Sequence, residues 1–419
     1  MNQTDLLRSL FDEAVKVADP MICVPAHLPP KPDGKLLVIG AGKASARMGE
    51  ALEKAWGQDG HMCEGLIITR YGYERPLQGI TLKSASHPVP DEAGLLATRE
   101  LRVVLEKADK DTFILALISG GGSSLMIDPA GDMTLADKMA VNAALLASGA
   151  PIDEMNVVRK HLSRIKGGQL AAAAYPATLH ALMISDVPGD DPAYIASGPT
   201  VGDSSTPDDA LAIIERYAID LPGSAKAVLA GKTGVIPPGD ERLSTTTNTI
   251  IAAPSQSLDA AKTIAEAEGI AVTILGDALE GEARDLARKQ AAMALKMQSE
   301  ISKPHLLLSG GECTVTRTGD GVGGPNAEYA LSLAIALDGA EGIYALACDT
   351  DGVDGAAEVA GALVTPDTLA KARAKGIDRQ ASLATNDAHS FFASIEDQVI
   401  TGPTLTNVND FRATLIEPA

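Results

Sequence analysis

The segment Val38-Ile39-Gly40-Ala41-Gly42-Lys43-Ala44-Ser45 joins an apolar run to a glycine turn and to the beginning of a helical pattern. The apolar run at residues 36–39 predicts a buried strand, and the two glycines then turn the chain into a helix that starts near Ala44. Glycines at such a turn let an anionic ligand approach the backbone and the helix N-terminus. Lys43 is unusual there, because a cation in the first turn of a helix opposes the macrodipole. The lysine therefore indicates an anion held between its ammonium group and the backbone amides.

The composition of the whole chain restricts the classes of protein to which it can belong. The chain has 419 residues, which suggests two or three domains, and a hydrophobic content of 45% allows large cores. A net charge of -20 opposes binding to nucleic acid or to an anionic membrane surface. A site for nucleotides or carboxylates must therefore concentrate its own cations or use Mg²⁺. No run of about 18 uncharged apolar residues occurs, so no membrane span is expected.

The cysteines and the N-terminal segment indicate a cytoplasmic protein. Cys23, Cys63, Cys313 and Cys348 stand far apart and include no CxxC pair. This spacing is not typical of a zinc ribbon or of a disulfide framework, so free thiols in a reducing cytoplasm are expected. Residues 1–18 predict an amphipathic helix with acidic residues rather than a signal peptide.

Apolar runs that end in glycine, serine or aspartate recur along the chain and alternate with helical patterns. These runs predict strands at residues 36–39, 66–69, 113–119, 181–185, 250–253, 272–275, 306–309 and 343–348. Segments rich in alanine and leucine predict helices at residues 44–56, 135–148, 257–268 and 282–298. This alternation is typical of an α/β fold with parallel sheets covered on both faces. Turn-rich sequence at residues 199–244 predicts a domain boundary, which we place near residue 240.

The turn after the predicted strand at residues 113–119 reads Ser119-Gly120-Gly121-Gly122-Ser123-Ser124. Its glycines expose backbone N–H groups and its serines add hydroxyl donors, so the turn predicts a phosphate cradle. It is not a Walker A motif, because no Gly-Lys-Ser/Thr sequence follows. The alternative is a tight structural turn.

Two acidic segments follow predicted strands. Asp186, Asp190 and Asp191 lie within six residues, and such carboxylates repel each other unless a cation joins them. Mg²⁺ prefers oxygen ligands and is one candidate, a general base is another, and a helix cap or turn is the structural alternative. The segment 349–355, which contains Asp351, predicts a metal or ribose contact or, alternatively, a solvated acidic turn.

A basic cluster at residues 156–169 contains Arg159, Lys160, Arg164 and Lys166. On a helix, Lys160 and Arg164 would share one face by their i,i+4 spacing. The cluster could hold a substrate carboxylate or nucleotide phosphates, or it could pair with acidic neighbours on a surface. Other candidates are His87 in a proline-rich loop, the glycine-rich segment 319–326 and the polar segment 401–410, each with a structural alternative.

Eight motifs in this order resemble class II glycerate 2-kinase, the MOFRL family, whose members often carry the name hydroxypyruvate reductase TtuD. The motifs are Gly-Ala-Gly-Lys-Ala, Ser-His-Pro-Val-Pro-Asp, Ser-Gly-Gly-Gly-Ser-Ser, Lys-His-Leu-Ser-x-Ile-Lys-Gly-Gly, Ser-Asp-Val-Pro-Gly-Asp, Ser-Gly-Gly-Glu, Asp-Thr-Asp-Gly-x-Asp-Gly and Thr-Gly-Pro-Thr-x-Thr-Asn-Val-Asn-Asp. The resemblance extends from about residue 5 to residue 416.

The resemblance implies ATP-dependent phosphorylation of D-glycerate at its 2-hydroxyl with Mg²⁺, giving 2-phosphoglycerate and ADP. It implies two three-layer α/β/α domains with mostly parallel sheets and an active site in the cleft between them. The first domain, residues 1–240, would be Rossmann-like, and the second, residues 241–419, would contain the MOFRL region at about 305–416. The expected partners are D-glycerate and ATP, with neither nucleic acid nor membrane, and the expected state is a monomer or a homodimer.

The resemblance identifies one catalytic residue, and the motifs lead to hypotheses for the others. The catalytic lysine of the family corresponds to Lys43, which we expect to stabilise charge on the transferred phosphoryl group, and Asp186 would orient or deprotonate the 2-hydroxyl. Asp190 and Asp351 are the candidate Mg²⁺ ligands. The remaining candidates are Gly120, Gly121, Gly122, Ser123, Ser124 and Lys160 for nucleotide phosphates, and Arg159, His87, Glu312, Asn326 and Asn407 for the substrate.

One position departs from the family motif, and two other functions compete with the kinase. Many members have arginine where this chain has Pro325, so Arg159, Arg164 or Lys160 would have to supply that phosphate contact. An NAD(P)H-dependent hydroxypyruvate reductase would use the glycine turn, but its third fingerprint position is Ser45 instead of glycine or alanine. The next predicted strand also ends without an acidic residue for the ribose. A metabolite sensor would bind in the same cleft without turnover.

Overall fold

The computed structural model of this chain describes residues 2–57 and 63–419. The described residues form two compact units. The parallel-sheet unit comprises Pro20–Ser185 and Asp190–Ile251, and the mixed-sheet unit comprises the chain up to Asp19, Asp186–Gly189 and Ala252–Ala419.

The helices and strands of the described residues are numbered here in chain order. The helices are α1 (Gln3–Val17), α2 (Pro20–His27), α3 (Ser45–Trp56), α4 (Glu92–Leu105), α5 (Gly122–Leu125), α6 (Leu135–Ala147), α7 (Ile152–His161), α8 (Gln169–Ala174), α9 (Pro207–Arg216), α10 (Gly223–Leu229), α11 (Pro254–Ala267), α12 (Ala283–Gln298), α13 (Pro325–Leu337), α14 (Thr368–Ala374), α15 (Arg379–Ala384) and α16 (Ala388–Ile395). The strands are β1 (Lys35–Ala41), β2 (Glu64–Arg70), β3 (Ile80–Ala85), β4 (Thr112–Ile118), β5 (Thr178–Ile184), β6 (Thr246–Ala252), β7 (Ala271–Gly276), β8 (Gly281–Glu282), β9 (His305–Gly311), β10 (Cys313–Thr314), β11 (Ile343–Asp349), β12 (Gly361–Val364), β13 (Gln398–Val399) and β14 (Asp410–Ile416).

The parallel-sheet unit has the strand order β3-β2-β1-β4-β5-β6. This is the order of the doubly wound dinucleotide-binding fold. The pairs β2–β3, β1–β2, β1–β4 and β4–β5 are parallel, as predicted from the alternation of strands and helices. In such sheets ligands bind beyond the carboxyl ends of the strands, so the turns after β1 and β4 are where a site is expected.

The second sheet contradicts the prediction that both sheets are mostly parallel. Its order is β13-β12-β11-β14-β9-β7, and β7–β9 is its parallel pair. The other neighbouring pairs are antiparallel, because β14 enters between β11 and β9 and runs against both of them. The polar segment 401–410 leads directly into this central strand, which the sequence pattern did not predict.

The predicted domain boundary near residue 240 differs from the observed division at three places, one of which is the assignment of Asp186–Gly189 to the mixed-sheet unit. Strand β6 begins at Thr246 and completes the parallel sheet, so that unit extends beyond the predicted boundary. Helix α1 belongs to the mixed-sheet unit, because its apolar face packs in the core of that unit. The fully buried Phe11 lies 5.9 Å, centroid to centroid, from the ring of Phe411.

The structure confirms the other predicted strands and most predicted helices to within a few residues. All four cysteines are buried and free of disulfides. No helix among residues 2–57 and 63–419 has the length and apolar character that crossing a membrane requires. One helical prediction is wrong: α7 ends at His161, so Lys160 and Arg164 do not share a helical face.

Candidate active site

The turn after β1 depends on Gly42, which lies in close contact with Ser119. The backbone φ of Gly42 is +146°, and a Cβ placed there would lie 2.1 Å from Ser119 Oγ. The Gly42 amide donates a hydrogen bond of 3.1 Å to the carbonyl of Ile68. Only glycine allows both this conformation and this close approach.

The turns that follow β1 and β4 are joined by hydrogen bonds. The amide of Lys43 donates to the carbonyl of Gly120 at 2.8 Å, and the amide of Ala44 donates to Ser119 Oγ at 3.0 Å. The amide of Ser119 donates in return to the carbonyl of Ala41 at 3.2 Å. The two glycine-rich motifs of the sequence therefore form one structure at the carboxyl edge of the parallel sheet.

Gly121 brings together two further predicted residues. It has a left-handed φ of +78°, and a Cβ placed there would lie 3.0 Å from His87 Nε2 and 3.3 Å from Lys43 Cγ. The side chains of His87 and Lys43 thus pack against the same glycine. Both side chains are half-buried.

The serines that follow are engaged in the turn. Ser124 Oγ donates to the carbonyl of Gly121 at 3.1 Å, and Ser123 Oγ lies 2.9 Å from Ser197 Oγ. Lys166 Nζ donates to the carbonyl of Ser123 at 2.8 Å and also to its hydroxyl. Among the described residues, the backbone amides of Gly121 and Ser123 have no hydrogen-bond acceptor. The turn therefore offers amides rather than hydroxyls to an anion.

A cavity of about 220 Å³ opens beside this turn, within the parallel-sheet unit. Polar side chains, glycine and proline form most of its wall, and no aspartate or glutamate of the described chain lines it. The lining residues used below are His87, Gly121, Ser123, Ser124, Lys138 and Arg159. The cavity thus combines five residues of the predicted site with Lys138, to which the sequence analysis gave no role.

The cations around this cavity are desolvated. Burial lowers the pKa of Lys138 to about 7, and the nearby charge of Arg159 contributes to the shift. Burial also lowers the pKa of Lys166 well below its ordinary value, helped by the charges of Lys138, Arg159 and Lys160. A sequence signal for Lys138 existed, because it lies on the buried face of α6 with Val141 and Leu145, at i,i+3 and i,i+7 spacing.

Two members of the predicted basic cluster lie elsewhere. Lys160 is 3% exposed and forms an ion pair with Asp203, so its ammonium already has a structural partner. It also stacks over the ring of Tyr194 at 5.2 Å. Arg164 donates to the carbonyl of Gly131 at 2.7 Å. The prediction that Lys160 binds nucleotide phosphate is therefore not supported, and Arg159 is the cluster member that lines the cavity together with the turn.

Asp186 and Asn407 meet within the mixed-sheet unit. Asn407 Nδ2 donates to Asp186 Oδ2 at 3.1 Å. The amide of Asn409 donates to Asn407 Oδ1 at 3.2 Å, which fixes the orientation of the Asn407 amide group. The structure thus brings together two of the predicted site residues from distant parts of the chain.

Asn326 lies at the beginning of α13, in the mixed-sheet unit. It is fully buried, and its Nδ2 donates to Asp410 Oδ1 at 2.6 Å. Asp354 accepts from the amides of Asn326 and Ala327 and caps the beginning of α13. Burial raises the pKa of Asp410, while the neighbouring Arg412 favours its charged form. Asn326 therefore has a structural role at the beginning of α13, and its contact with the substrate stays a prediction.

The acidic turn after β11 is buried rather than solvated. Asp351 is 1% exposed, and its Oδ1 accepts from the amide of Val353 at 2.8 Å. Asp349 Oδ1 accepts from the amide of Asp351 at 2.8 Å. The loop therefore uses carboxylate oxygens to satisfy its own backbone. Glu312 follows β9 and is exposed.

Asp190 is a better candidate for cation binding than Asp351. Its Oδ1 is buried and lacks a hydrogen-bond partner among the described residues. The neighbouring Asp191 accepts from the amide of Ala193 at 2.8 Å and acts as a turn residue. Across residues 2–57 and 63–419, no three acidic, histidine or cysteine side chains are grouped as a metal site. Mg²⁺ does not require such a group, because it commonly binds one or two carboxylates together with phosphate and water.

A larger cavity of about 1020 Å³ lies at the opposite edge of the parallel sheet. Lys35, Glu64 and Thr112, at the amino ends of their strands, contribute to its wall. Ligands of open α/β sheets bind at the carboxyl edge, so this cavity is not part of the candidate site.

Two family models match this chain, and the similar proteins include enzymes named glycerate kinase. The model described as "Domain of unknown function (DUF4147)" matches residues 6–230, and the model described as "MOFRL family" matches residues 305–410. A "Putative hydroxypyruvate reductase" of Agrobacterium vitis is 52% identical, with 98% of this chain and 94% of that protein covered. The "D-glycerate 2-kinase" of Thermotoga maritima is 36% identical, with 97% of each chain covered. The crystal structure of a glycerate kinase from Thermotoga maritima matches with a TM-score of 0.88 at 35% identity, over 98% of this chain and 99% of that one.

Proposed function

We propose that this chain, which belongs to the MOFRL family together with enzymes named glycerate kinase, transfers the γ-phosphoryl group of ATP to the 2-hydroxyl of D-glycerate. The products would be 2-phosphoglycerate and ADP, and the reaction would use Mg²⁺. The observation that carries the proposal is the hydrogen bond from the Lys43 amide to the carbonyl of Gly120. This bond joins the lysine turn to an amide-rich turn beside a cationic cavity.

Phosphoryl transfer depends on alignment and on neutralisation of charge more than on covalent chemistry of the protein. The backbone amides of Gly121 and Ser123 point to a phosphate-binding role for residues 120–124. Lys43 would place its ammonium group against the transferred phosphoryl group and stabilise the charge there. Because its side chain packs against Gly121, the lysine and the turn would act on the same phosphate.

Asp186 would orient the 2-hydroxyl of the acceptor and accept its proton. The hydrogen bond from Asn407 to Asp186 Oδ2 restricts rotation of the carboxylate. A general base must hold its oxygen within hydrogen-bond reach of the proton that it accepts, so this restriction favours the reaction. Asn407 is therefore proposed as a positioning residue rather than as a direct substrate contact.

Arg159 and His87 are proposed as substrate contacts, because both line the cavity beside the turn. Glu312 remains a prediction. The replacement of the family arginine at Pro325 by Arg159, Arg164 or Lys160 stays a prediction.

The residues present fit a magnesium ion at Asp190, whose buried Oδ1 lacks a partner among the described residues. Asp190 would hold the ion through this oxygen, and the ion would supply positive charge to neutralise the phosphates of ATP. Asp351 fits less well, since one of its oxygens accepts from a backbone amide.

A direct assay tests the kinase function. The purified protein is incubated with D-glycerate, ATP and Mg²⁺, and the product is identified by phosphorus NMR. We expect 2-phosphoglycerate, and either 3-phosphoglycerate or an absence of phosphorylated product would contradict the proposal. In the same assay Lys43→Ala should lower kcat roughly 10²- to 10³-fold. The surface variant Lys226→Ala removes an equal charge from an exposed ion pair and should leave kcat unchanged.

The name of the relative from Agrobacterium vitis favours a second candidate, an NAD(P)H-dependent hydroxypyruvate reductase. Ser45 occupies the third glycine position of the dinucleotide-binding fingerprint. Its side chain is buried, and its Oγ donates a hydrogen bond of 2.9 Å to the carbonyl of Leu117, which ties the turn to β4. Oxidation of NADH or NADPH with hydroxypyruvate, in the absence of ATP turnover, would establish the reductase. Binding of either acid without any turnover would indicate a sensor.

A further inference from the structure

Beside the cavity, three buried or half-buried cations have no acidic partner among the described residues. Lys138 and Lys166 are 4% and 2% exposed, and Arg159 is half-buried. Buried charges in folded proteins are normally paired, because removing an ion from water is costly. The chain as a whole carries a net charge of -20, so acidic partners were abundant in the sequence. Three unpaired cations in one place indicate that an anion binds among them.

The three cations differ in the hydrogen-bond donors that they can offer to such an anion. Lys166 Nζ donates to the carbonyl and hydroxyl of Ser123 and, at 3.3 Å, to Ser197 Oγ. These acceptors use the three donors of its ammonium group. Lys138 Nζ donates to Asn142 Oδ1 at 3.2 Å, which leaves two of its donors. Lys138 and Arg159 therefore supply the donors at the cavity, while Lys166 holds the turn.

The size of the cavity restricts the anion. Its volume of about 220 Å³ is smaller than the roughly 300–1,000 Å³ of pockets that hold drug-sized ligands. The cavity is therefore too small to enclose a whole nucleotide but large enough for an acid of a few carbon atoms. Arginine donors match the two oxygens of a carboxylate in a bidentate arrangement.

We infer that Lys138 and Arg159 form a subsite for the carboxylate of the phosphoryl acceptor, which makes them the residues that select acids over uncharged analogues. The inference rests on the proposed kinase function, since it concerns the acceptor of that reaction. A 2-hydroxy acid carries its hydroxyl on the carbon next to the carboxylate. Binding of the carboxylate in this cavity would therefore hold the hydroxyl near the cavity wall that contains Gly121, against which Lys43 packs.

The test measures acceptor binding in the full-length protein without ATP, by isothermal titration calorimetry at pH 6.5. The ligands are D-glycerate and its amide analogue glyceramide, which differ in the carboxylate alone. The variants are Lys138→Met and Arg159→Met, and the matched control is Lys226→Met, which removes a lysine of the same unit from an exposed ion pair. ADP is titrated into each variant as a measure of the nucleotide site.

We expect the wild-type protein to bind D-glycerate much more tightly than glyceramide. Lys138→Met and Arg159→Met should each weaken D-glycerate binding roughly 10- to 100-fold, as expected for lost hydrogen bonds to a charged group. The same variants should leave the affinity for ADP unchanged, and Lys226→Met should change neither affinity. The preference for D-glycerate over glyceramide should therefore shrink in the two cavity variants and persist in the control.

Several results would overturn the subsite. These are equal binding of D-glycerate and glyceramide by the wild-type protein, no binding of D-glycerate at millimolar concentration, or unchanged D-glycerate affinity in the variants. Loss of ADP or inorganic phosphate binding in Lys138→Met, with D-glycerate binding intact, would assign the cavity to phosphate instead. Failure of the kinase proposal is separate, because a protein that binds D-glycerate through Lys138 without transferring phosphate retains the subsite and loses the kinase.

Discussion

Asn407 Nδ2 lies 3.1 Å from Asp186 Oδ2, although 221 positions separate the two residues in the chain. If Asp186 accepts the proton of the acceptor hydroxyl, this hydrogen bond orients the base. Asn407→Ala should then lower kcat roughly 10- to 100-fold, the range for a hydrogen bond to a charged group. The KM for ATP should stay unchanged, and Asn407→Ser, which retains a donor, should recover part of kcat. Steady-state kinetics of both variants check this, and an equal rise in both KM values at constant kcat would contradict the positioning role.

Removal of the Lys138 ammonium group should stabilise the ligand-free protein while it impairs acceptor binding. The pKa of Lys138 falls from 10.5 to about 7 on folding, so between these pH values the unfolded chain binds a proton that the folded protein does not. The folded state is thus penalised most below pH 7, and the penalty disappears as the pH rises toward 10.5. Lys138→Met should therefore raise stability at pH 6.5 by about 1–3 kcal/mol, less than the full pKa shift corresponds to.

Differential scanning calorimetry at pH 6.5 and pH 9.5 measures this gain. An increase in Tm of about 2–4 °C per kcal/mol is expected at the lower pH, with a smaller increase at the higher pH. The Lys226→Met variant serves as the control, since its ammonium group is exposed. A loss of stability in Lys138→Met at both pH values would show that the lysine is a structural element.

The sequence predicted the parallel sheet well because the information is local. Each of its predicted strands is a short apolar run, although β3 was not predicted, and the glycine turn at Gly42 follows from the residues around it. The position of β14 in the second sheet depends on pairing with β9 and β11, which are distant in sequence. Periodicity contains no information about such pairing, so the antiparallel character of that sheet was not predicted.

The candidate site was also predicted only where the information is local in the sequence. Motifs identified Lys43, Gly121 and His87, which the structure brings together. The motif that contains Lys160 gave no sign of its ion pair with Asp203, because that partner lies 43 positions away. Lys138 belongs to no motif, and its significance follows from burial without an acidic partner among the described residues.

The ion pair of Lys160 and Asp203 provides a test of the corrected role of Lys160. Asp203→Asn removes the charge that compensates a buried ammonium group, and breaking a buried pair in this way typically costs about 3–5 kcal/mol. Chemical denaturation should show this loss, while ADP affinity of the folded variant should stay close to that of the wild type. A large loss of ADP affinity at unchanged stability would return Lys160 to the nucleotide site.

Glu50 on α3 connects stability of the parallel-sheet unit to pH. Arg75 donates to its carboxylate at 2.7 Å and Lys54 at 2.9 Å, and Arg47 lies within 3.1 Å. The hydrogen bonds from Arg75, Lys54 and Arg47 outweigh burial and lower the pKa of Glu50 from 4.5 to about 2. Its stabilising contribution is therefore present above pH 4.5 and is lost as the pH falls toward 2.

The variant Glu50→Gln should accordingly lower stability at pH 7 by about 1–3 kcal/mol. The difference from the wild type should shrink as the pH falls from 4.5 toward 2, which urea denaturation at several pH values can measure. A difference that is constant across this pH range would mean that the glutamate acts through packing alone.

Alanine substitutions at two glycines distinguish the effect of backbone strain from the effect of side-chain contacts in the candidate site. Gly121 and Gly72 both have left-handed φ values, +78° and +84°, but a Cβ at Gly72 would meet nothing within 4 Å. An alanine in this conformation costs about 1–2 kcal/mol at either position. At Gly121 the new methyl group would also press against His87 and the stem of Lys43. Gly121→Ala should therefore lower kcat/KM more than 10-fold, whereas Gly72→Ala should reduce stability by a similar amount and leave kcat/KM near the wild-type value. Equal activity of the two variants would show that the contact between Gly121, His87 and Lys43 does not matter for the reaction.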